Sequence, residues 1–215
     1  MISTPDLIES LATGLRPTRR GLVARRMALG LCIGVALTAA LVLLAWGPRP
    51  DLAAAVATPP FWMKFAFTGS LCLAGLRIAG RLARPDGELP RGATLAFAAV
   101  LGAMTAMAAV ELLRAPEADY GRLVMGATSA TCPWLIALLA IPLLAAILWA
   151  MRAMAPTQLT LAGAAAGLAA GGASAFVYAV SCDESAMPFV LVWYGLGIAL
   201  PTAAGAMLGN RVLRW

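Results

Sequence analysis

Six apolar runs, each close to the ~20 residues that an α-helix needs to cross a bilayer, constrain this chain more than any other feature. They cover approximately residues 27–46, 61–81, 92–113, 132–151, 158–180 and 188–209. In hydrocarbon every backbone polar group must be paired internally, so runs of this length are expected as helices. Only 12% of the 215 residues are charged and 61% are hydrophobic, whereas a soluble domain carries roughly a quarter charged residues. The expected fold is an all-α integral membrane protein, with six transmembrane helices in one bundle (27–215). A short cytoplasmic segment, 1–26, precedes it.

Orientation follows from the cations in the connections. With the N-terminus inside, the inner side collects Arg16, Arg19, Arg20, Arg25, Arg26, Arg77, Arg81, Arg84, Arg91, Arg152, Arg211 and Arg214. The outer side holds Arg49, Lys64, Arg114 and Arg122. The net charge of +6 is therefore a topology signal and not a footprint for nucleic acid. Trp46, Trp62, Trp134 and Tyr178 fall at the outer boundary, where amphipathic rings settle. An even number of spans puts both termini in the cytoplasm, with the body in a bacterial inner membrane. The basic start and apolar run resemble a signal peptide, but 27–46 is too long for an ordinary signal core and reads as an uncleaved first span.

Residues 4–15 read as an amphipathic helix, with Thr4 as N-cap, Pro5 in the first turn and Asp6 and Glu9 near the positive end of the dipole. Leu7, Ile8, Leu11 and Leu15 share one face. Twelve residues are too few for a stable isolated helix, so the stripe needs a surface. That surface is either the membrane or a cytoplasmic partner protein.

Gly163, Gly167 and Gly171 recur every fourth residue in the fifth run, and Gly205 and Gly209 repeat the spacing in the sixth. Such ridges let helices approach closely, within a bundle or between subunits; the oligomeric state stays open. No run carries an ionisable residue near its middle, which argues against a transporter, since transport paths usually place charges at depth.

Chemistry is scarce. The absence of histidine removes His-ligated haem, HExxH proteolysis and histidine acid–base catalysis. There is no P-loop, paired CxxC or dinucleotide motif, so no enzyme, cofactor or constitutive metal site is expected. Of four cysteines, Cys32 and Cys72 lie inside runs and read as packing residues. Cys132 and Cys182 each sit where a polar loop meets an apolar run, and the topology returns both to the outer face. They are candidates for a disulfide, for soft-metal or electrophile capture as thiolates, or for no joint role. Asp183 and Glu184 are possible accessory oxygen ligands, and as anions they are expected to raise the Cys182 pKa.

The leading helix with Thr4, Leu7-Ile8 and Leu11, the six runs, and the stretch Tyr178-Ala-Val-Ser-Cys182-Asp-Glu-Ser carry a resemblance. Pro188-Phe189, Trp193-Tyr194, Gly197, Leu213-Arg214-Trp215, Ala155-Pro156 and Cys132 extend it over essentially the whole chain. On these residues the chain resembles the NrsF-type family of bacterial membrane anti-sigma factors. The resemblance implies a regulator that holds an extracytoplasmic-function sigma factor at the membrane through its cytoplasmic segment. It also implies release under heavy-metal or related stress, with sensing cysteines mapping onto Cys132 and Cys182 and the sigma-binding surface onto 4–15. The rival readings are a small transporter or exporter and a structural scaffold with a permanent disulfide.

Overall fold

A computed structural model describes residues 3–13 and 22–214, apart from the side chains of Leu11 and residues 22–24. The described residues form helices throughout: α1 (Thr4–Ala12), α2 (Leu22–Ala45), α3 (Leu52–Ala55), α4 (Pro59–Leu82), α5 (Arg91–Arg114), α6 (Tyr120–Met125), α7 (Cys132–Arg152), α8 (Leu159–Tyr178), α9 (Met187–Phe189) and α10 (Gly195–Val212). A π turn, Val190–Tyr194, joins α9 to α10, so that 187–212 is one continuous rod.

Five of these elements are long and apolar enough to cross a membrane: α2, α5, α7, α8 and the α9–α10 rod. The second expected span, α4, has the length, at 24 residues, but Lys64, Arg77 and Arg81 lower its apolar character. The six long elements run alternately up and down. Antiparallel pairing is visible where Gly34 meets Leu143 (α2 on α7), Gly75 meets Ala169 (α4 on α8) and Gly171 meets Ile198 (α8 on α10).

The centre of the bundle is α8, which is small-residue rich rather than bulky, and its burial follows from that. Gly163 and Gly167 lie against the backbone oxygens of Gly205 and Pro201, and Gly209 lies against that of Leu159. On the opposite face, a β-carbon on Gly172 would come within 2.5 Å of the Cys72 amide nitrogen in α4. Without side chains between them, backbones pack at distances that maximise dispersion contact. The glycine ridges are thus occupied inside this one chain.

At the other extreme, α2 and α5 are mostly exposed. Cys32 faces outward from α2, contrary to the packing role expected of it, while Cys72 is half-buried. Ser3, not Thr4, caps α1: its hydroxyl accepts the Asp6 amide at 3.4 Å and donates to Asp6 Oδ2 at 2.5 Å. Leu7 and Ile8 are 47% and 63% exposed. Leu15 lies outside the described residues.

Candidate functional site

One end of the bundle collects the α2–α3 turn, the start of α4, the end of α5, the start of α7 and the loop from α8 to α9. That loop, residues 179–186, leaves α8 with a last winding turn, Ser181 and Cys182 amides both bonding the Tyr178 carbonyl at 3.0 and 3.2 Å. It then runs extended to Ala186. Cys132 is the first residue of α7, its amide bonded to Thr128 O at 2.9 Å. These two placements bring the thiols together. The Cys132 and Cys182 thiols are neighbours that perturb each other's ionisation, both are buried, and all four cysteines are free thiols.

Two tyrosines complete the pocket. Tyr178 reaches the Cys132 sulfur and Tyr194 the Cys182 sulfur, their rings 6.2 Å apart. Tyr194 is fully buried, and its hydroxyl has no well-aligned hydrogen bond among the described residues, the Cys182 sulfur being its polar neighbour. The π turn contributes here: its extra residue re-aims the end of the turn, and π turns recur at functional sites for that reason. Tyr178 was expected at the membrane boundary with the exposed Trp46, Trp62 and Trp134; it is instead 5% exposed, beside the thiols.

Below the thiols sits Lys64, 0% exposed. Its Nζ donates to Cys182 O at 2.9 Å and Glu184 O at 2.8 Å and lies 5.6 Å from the centre of the Tyr194 ring. Among the described residues no carboxylate pairs with it; backbone carbonyls and a π face hold the ammonium. Arg49 flanks the loop from the α2–α3 turn. Its Nε and Nη2 grip both Asp51 oxygens at 2.6 and 2.8 Å, and its Nη1 reaches Cys182 O at 3.4 Å and Ser185 Oγ at 3.3 Å. The Asp51 hydrogen bonds hold the Arg49 pKa above its already high ordinary value.

The acidic pair is committed elsewhere. Asp183 Oδ1 faces Arg49 Nε at 3.8 Å, and Glu184 Oε1 accepts the Ala127 amide at 2.6 Å. Gly126 makes that second contact possible with a left-handed φ of 54°, where a β-carbon would fall 2.6 Å from the Glu184 carboxylate. Gly126→Ala should therefore destabilise the protein by about 1–3 kcal/mol, measured as a lower melting temperature. Glu184→Ala in the same chain should reduce that loss. Among the described residues no three acidic or cysteine side chains cluster as a metal site would.

The expectation that neighbouring anions raise the Cys182 pKa is corrected by this geometry. The hydrogen bond from Cys132 and the Lys64 charge outweigh burial, and hold the Cys182 thiol below the usual thiol range. Sequence reasoning missed Lys64, Arg49 and Tyr194 as parts of the site. The available signal was that Lys64 is the only lysine and, with Arg49, breaks the arginine asymmetry.

Two buried thiols, two tyrosines and a buried ammonium thus meet at one end of a helical bundle. The model of the NrsF family, described as negative regulator of sigma F, matches residues 11–215, and the chain belongs to that family. It is 40% identical over 214 residues, the full length of both chains, to the probable anti-sigma-F factor NrsF of Azospira oryzae. It is 37% identical over 214 residues, 99% of each chain, to the anti-sigma-F factor NrsF of Caulobacter vibrioides. No solved structure matches it.

Proposed function

We propose that the chain is a membrane anti-sigma factor that sequesters an extracytoplasmic-function sigma factor and releases it when the Cys132–Cys182 pair meets a heavy metal or a thiol-directed electrophile. Full-length relatedness to two anti-sigma-F factors supports the partner class. The observation that carries the trigger is the thiol pair itself, brought together across fifty residues of chain beside a buried cation. Soft metals and electrophiles react with thiolates, and the Lys64 side favours that form at Cys182.

On this reading α4 is the sixth span. Its Lys64 charge is turned into the bundle and wrapped by carbonyls, which is how a cation is accommodated near a membrane boundary. Segment 1–26 then lies in the cytoplasm, the thiols face the periplasm, and the arginine-rich end faces inward in the inner membrane. Leu7 and Ile8, with Leu11 and Leu15, form the docking stripe for the sigma factor. Asp183 and Glu184 act as loop anchors rather than ligands.

The test is transcription from sigma-dependent promoters in wild type, a deletion, and a Cys132→Ser/Cys182→Ser strain, with and without cadmium. Deletion should raise expression without stress. The double variant should hold expression low under both conditions. Unchanged promoters in the deletion refute the anti-sigma role; a double variant that still responds to cadmium refutes thiol sensing alone.

A further inference from the structure

The outer thiol loop and the N-terminal segment are joined by α2, which leads directly into that segment and packs along one side. One face meets α7 through Gly30 and Gly34, which approach Ala146 and Leu143, and through the Thr38 hydroxyl, which donates to Leu139 O at 3.3 Å. Its other face, with Leu29, Ile33, Leu37 and Leu41, is exposed. A rod packed along one side only can slide on its partner in a small shear motion.

The far end of α2, by contrast, is fastened to the thiol loop by hydrogen bonds from both directions. The Arg49 amide donates to Val180 O at 3.1 Å, and the Ser181 hydroxyl donates to Gly47 O. The Arg49 guanidinium reaches Cys182 O and Ser185 Oγ while Asp51 fixes its plane bidentately. Arg49 is 6% exposed, so water does not compete effectively for these bonds. A bidentate guanidinium carries direction as well as energy.

We propose that Arg49 is the positioning residue that couples the thiol pair to the N-terminal segment, by tying the Cys182 loop to the end of α2. This rests on the thiol-sensing reading and adds its route. Joining the two sulfurs covalently draws them to bonding distance. The Cys182 carbonyl moves with its residue, Arg49 follows that carbonyl, and α2 is pulled along α7.

The test uses the full chain in phosphatidylethanolamine–phosphatidylglycerol nanodiscs, with Cys32→Ser and Cys72→Ser in the background and diamide as the probe. Each thiol gives up its proton and the sulfur–sulfur bond forms. The two electrons and two protons pass to the diamide nitrogen–nitrogen double bond, which becomes the hydrazine. Hydrogen–deuterium exchange over residues 3–30 is read before and after bridging, with disulfide yield scored by alkylation.

Bridging should change exchange over 3–30 in the Arg49 chain. Arg49→Gln should bridge to the same yield and lose that response, a result that a merely structural arginine would not give. If Arg49→Gln yields no folded chain, Ser181→Ala, which deletes the bond to Gly47, carries the same comparison and should weaken the response. A response of full size in the folded variant, or none in the bridged Arg49 chain, overturns the coupling while promoter control by the thiols stands or falls separately. An Arg49 chain that diamide does not bridge overturns this inference, while metal capture by the same thiols is read by the cadmium arm of the promoter test.

Discussion

Gly167→Leu should abolish accumulation of the folded protein, or lower its stability by more than about 3 kcal/mol, the upper end for overpacking a close-packed core. The site has no slack: the β-carbon position is taken by the Pro201 carbonyl and lies 2.6 Å from the Thr202 α-carbon. These are backbone atoms of a facing helix, so relief requires the whole α8–α10 seam to open. Gly163, Gly205 and Gly209 lie along the same seam, which would then unzip on both sides of the insertion. Gly102→Ala in α5 is the control. Nothing lies within 4 Å of a β-carbon there, and alanine is preferred over glycine inside a helix by about 0.8–1 kcal/mol. Thermal unfolding in detergent should show a collapse for the first and a neutral or raised midpoint for the second.

Lys64→Met should produce the second-largest effect, for a different reason. The change keeps length and removes the donor of two hydrogen bonds, leaving the Glu184 carbonyl unpaired and the Cys182 carbonyl with only its longer bond from Arg49. A stranded acceptor costs about 1–3 kcal/mol, set against the gain from no longer burying an ammonium. The net expectation is a loss of roughly 2 kcal/mol, together with a slower thiol reaction at neutral pH.

The pH dependence separates those two consequences. The Cys182 thiol is depressed in the folded protein, so ionising it stabilises the fold. That stabilisation is complete above the ordinary thiol value of about 8.5 and is lost as the pH falls through the lower folded value. Wild type should therefore gain stability as the pH rises across that window. Lys64→Met should show a shallower gain, and its alkylation by iodoacetamide should move to higher pH. Identical pH profiles in the two proteins would mean that the Lys64 charge is not felt at the sulfur.

Much of this architecture is legible in the residues, because length and hydropathy are local properties. The long helices can be read directly, and so can a short leading helix, although it starts at Thr4 with Ser3 as its cap. So can the small-residue ridge at Gly163, Gly167 and Gly171, although its partner cannot: a glycine row says that something comes close, and only the fold says that α10 does. The site is harder for a physical reason. Lys64 is held by main-chain oxygens more than a hundred residues away, and carbonyl acceptors leave no mark in a sequence. Arg49 and Lys64 look like exceptions to the arginine bias, and they are the cations beneath the thiol loop. The acids beside Cys182 suggest an anionic surround, but proximity along the chain is not proximity in space. In the structure, Glu184 turns to Ala127 and Asp183 to Arg49.

The most direct measurement of the central claim is binding of the purified host sigma-F-type factor to the full chain in nanodiscs, with the thiols reduced and then exposed to cadmium. The reduced chain should bind, and cadmium should weaken binding at least tenfold, about 1.4 kcal/mol. Leu7→Glu/Ile8→Glu should abolish binding in either state, because each fully buried apolar side chain contributes roughly 1.5–3 kcal/mol. Cys132→Ser/Cys182→Ser should bind like the reduced chain and ignore cadmium. Failure of the reduced chain to bind the sigma factor, or equal binding by the Leu7→Glu/Ile8→Glu variant, would contradict the account.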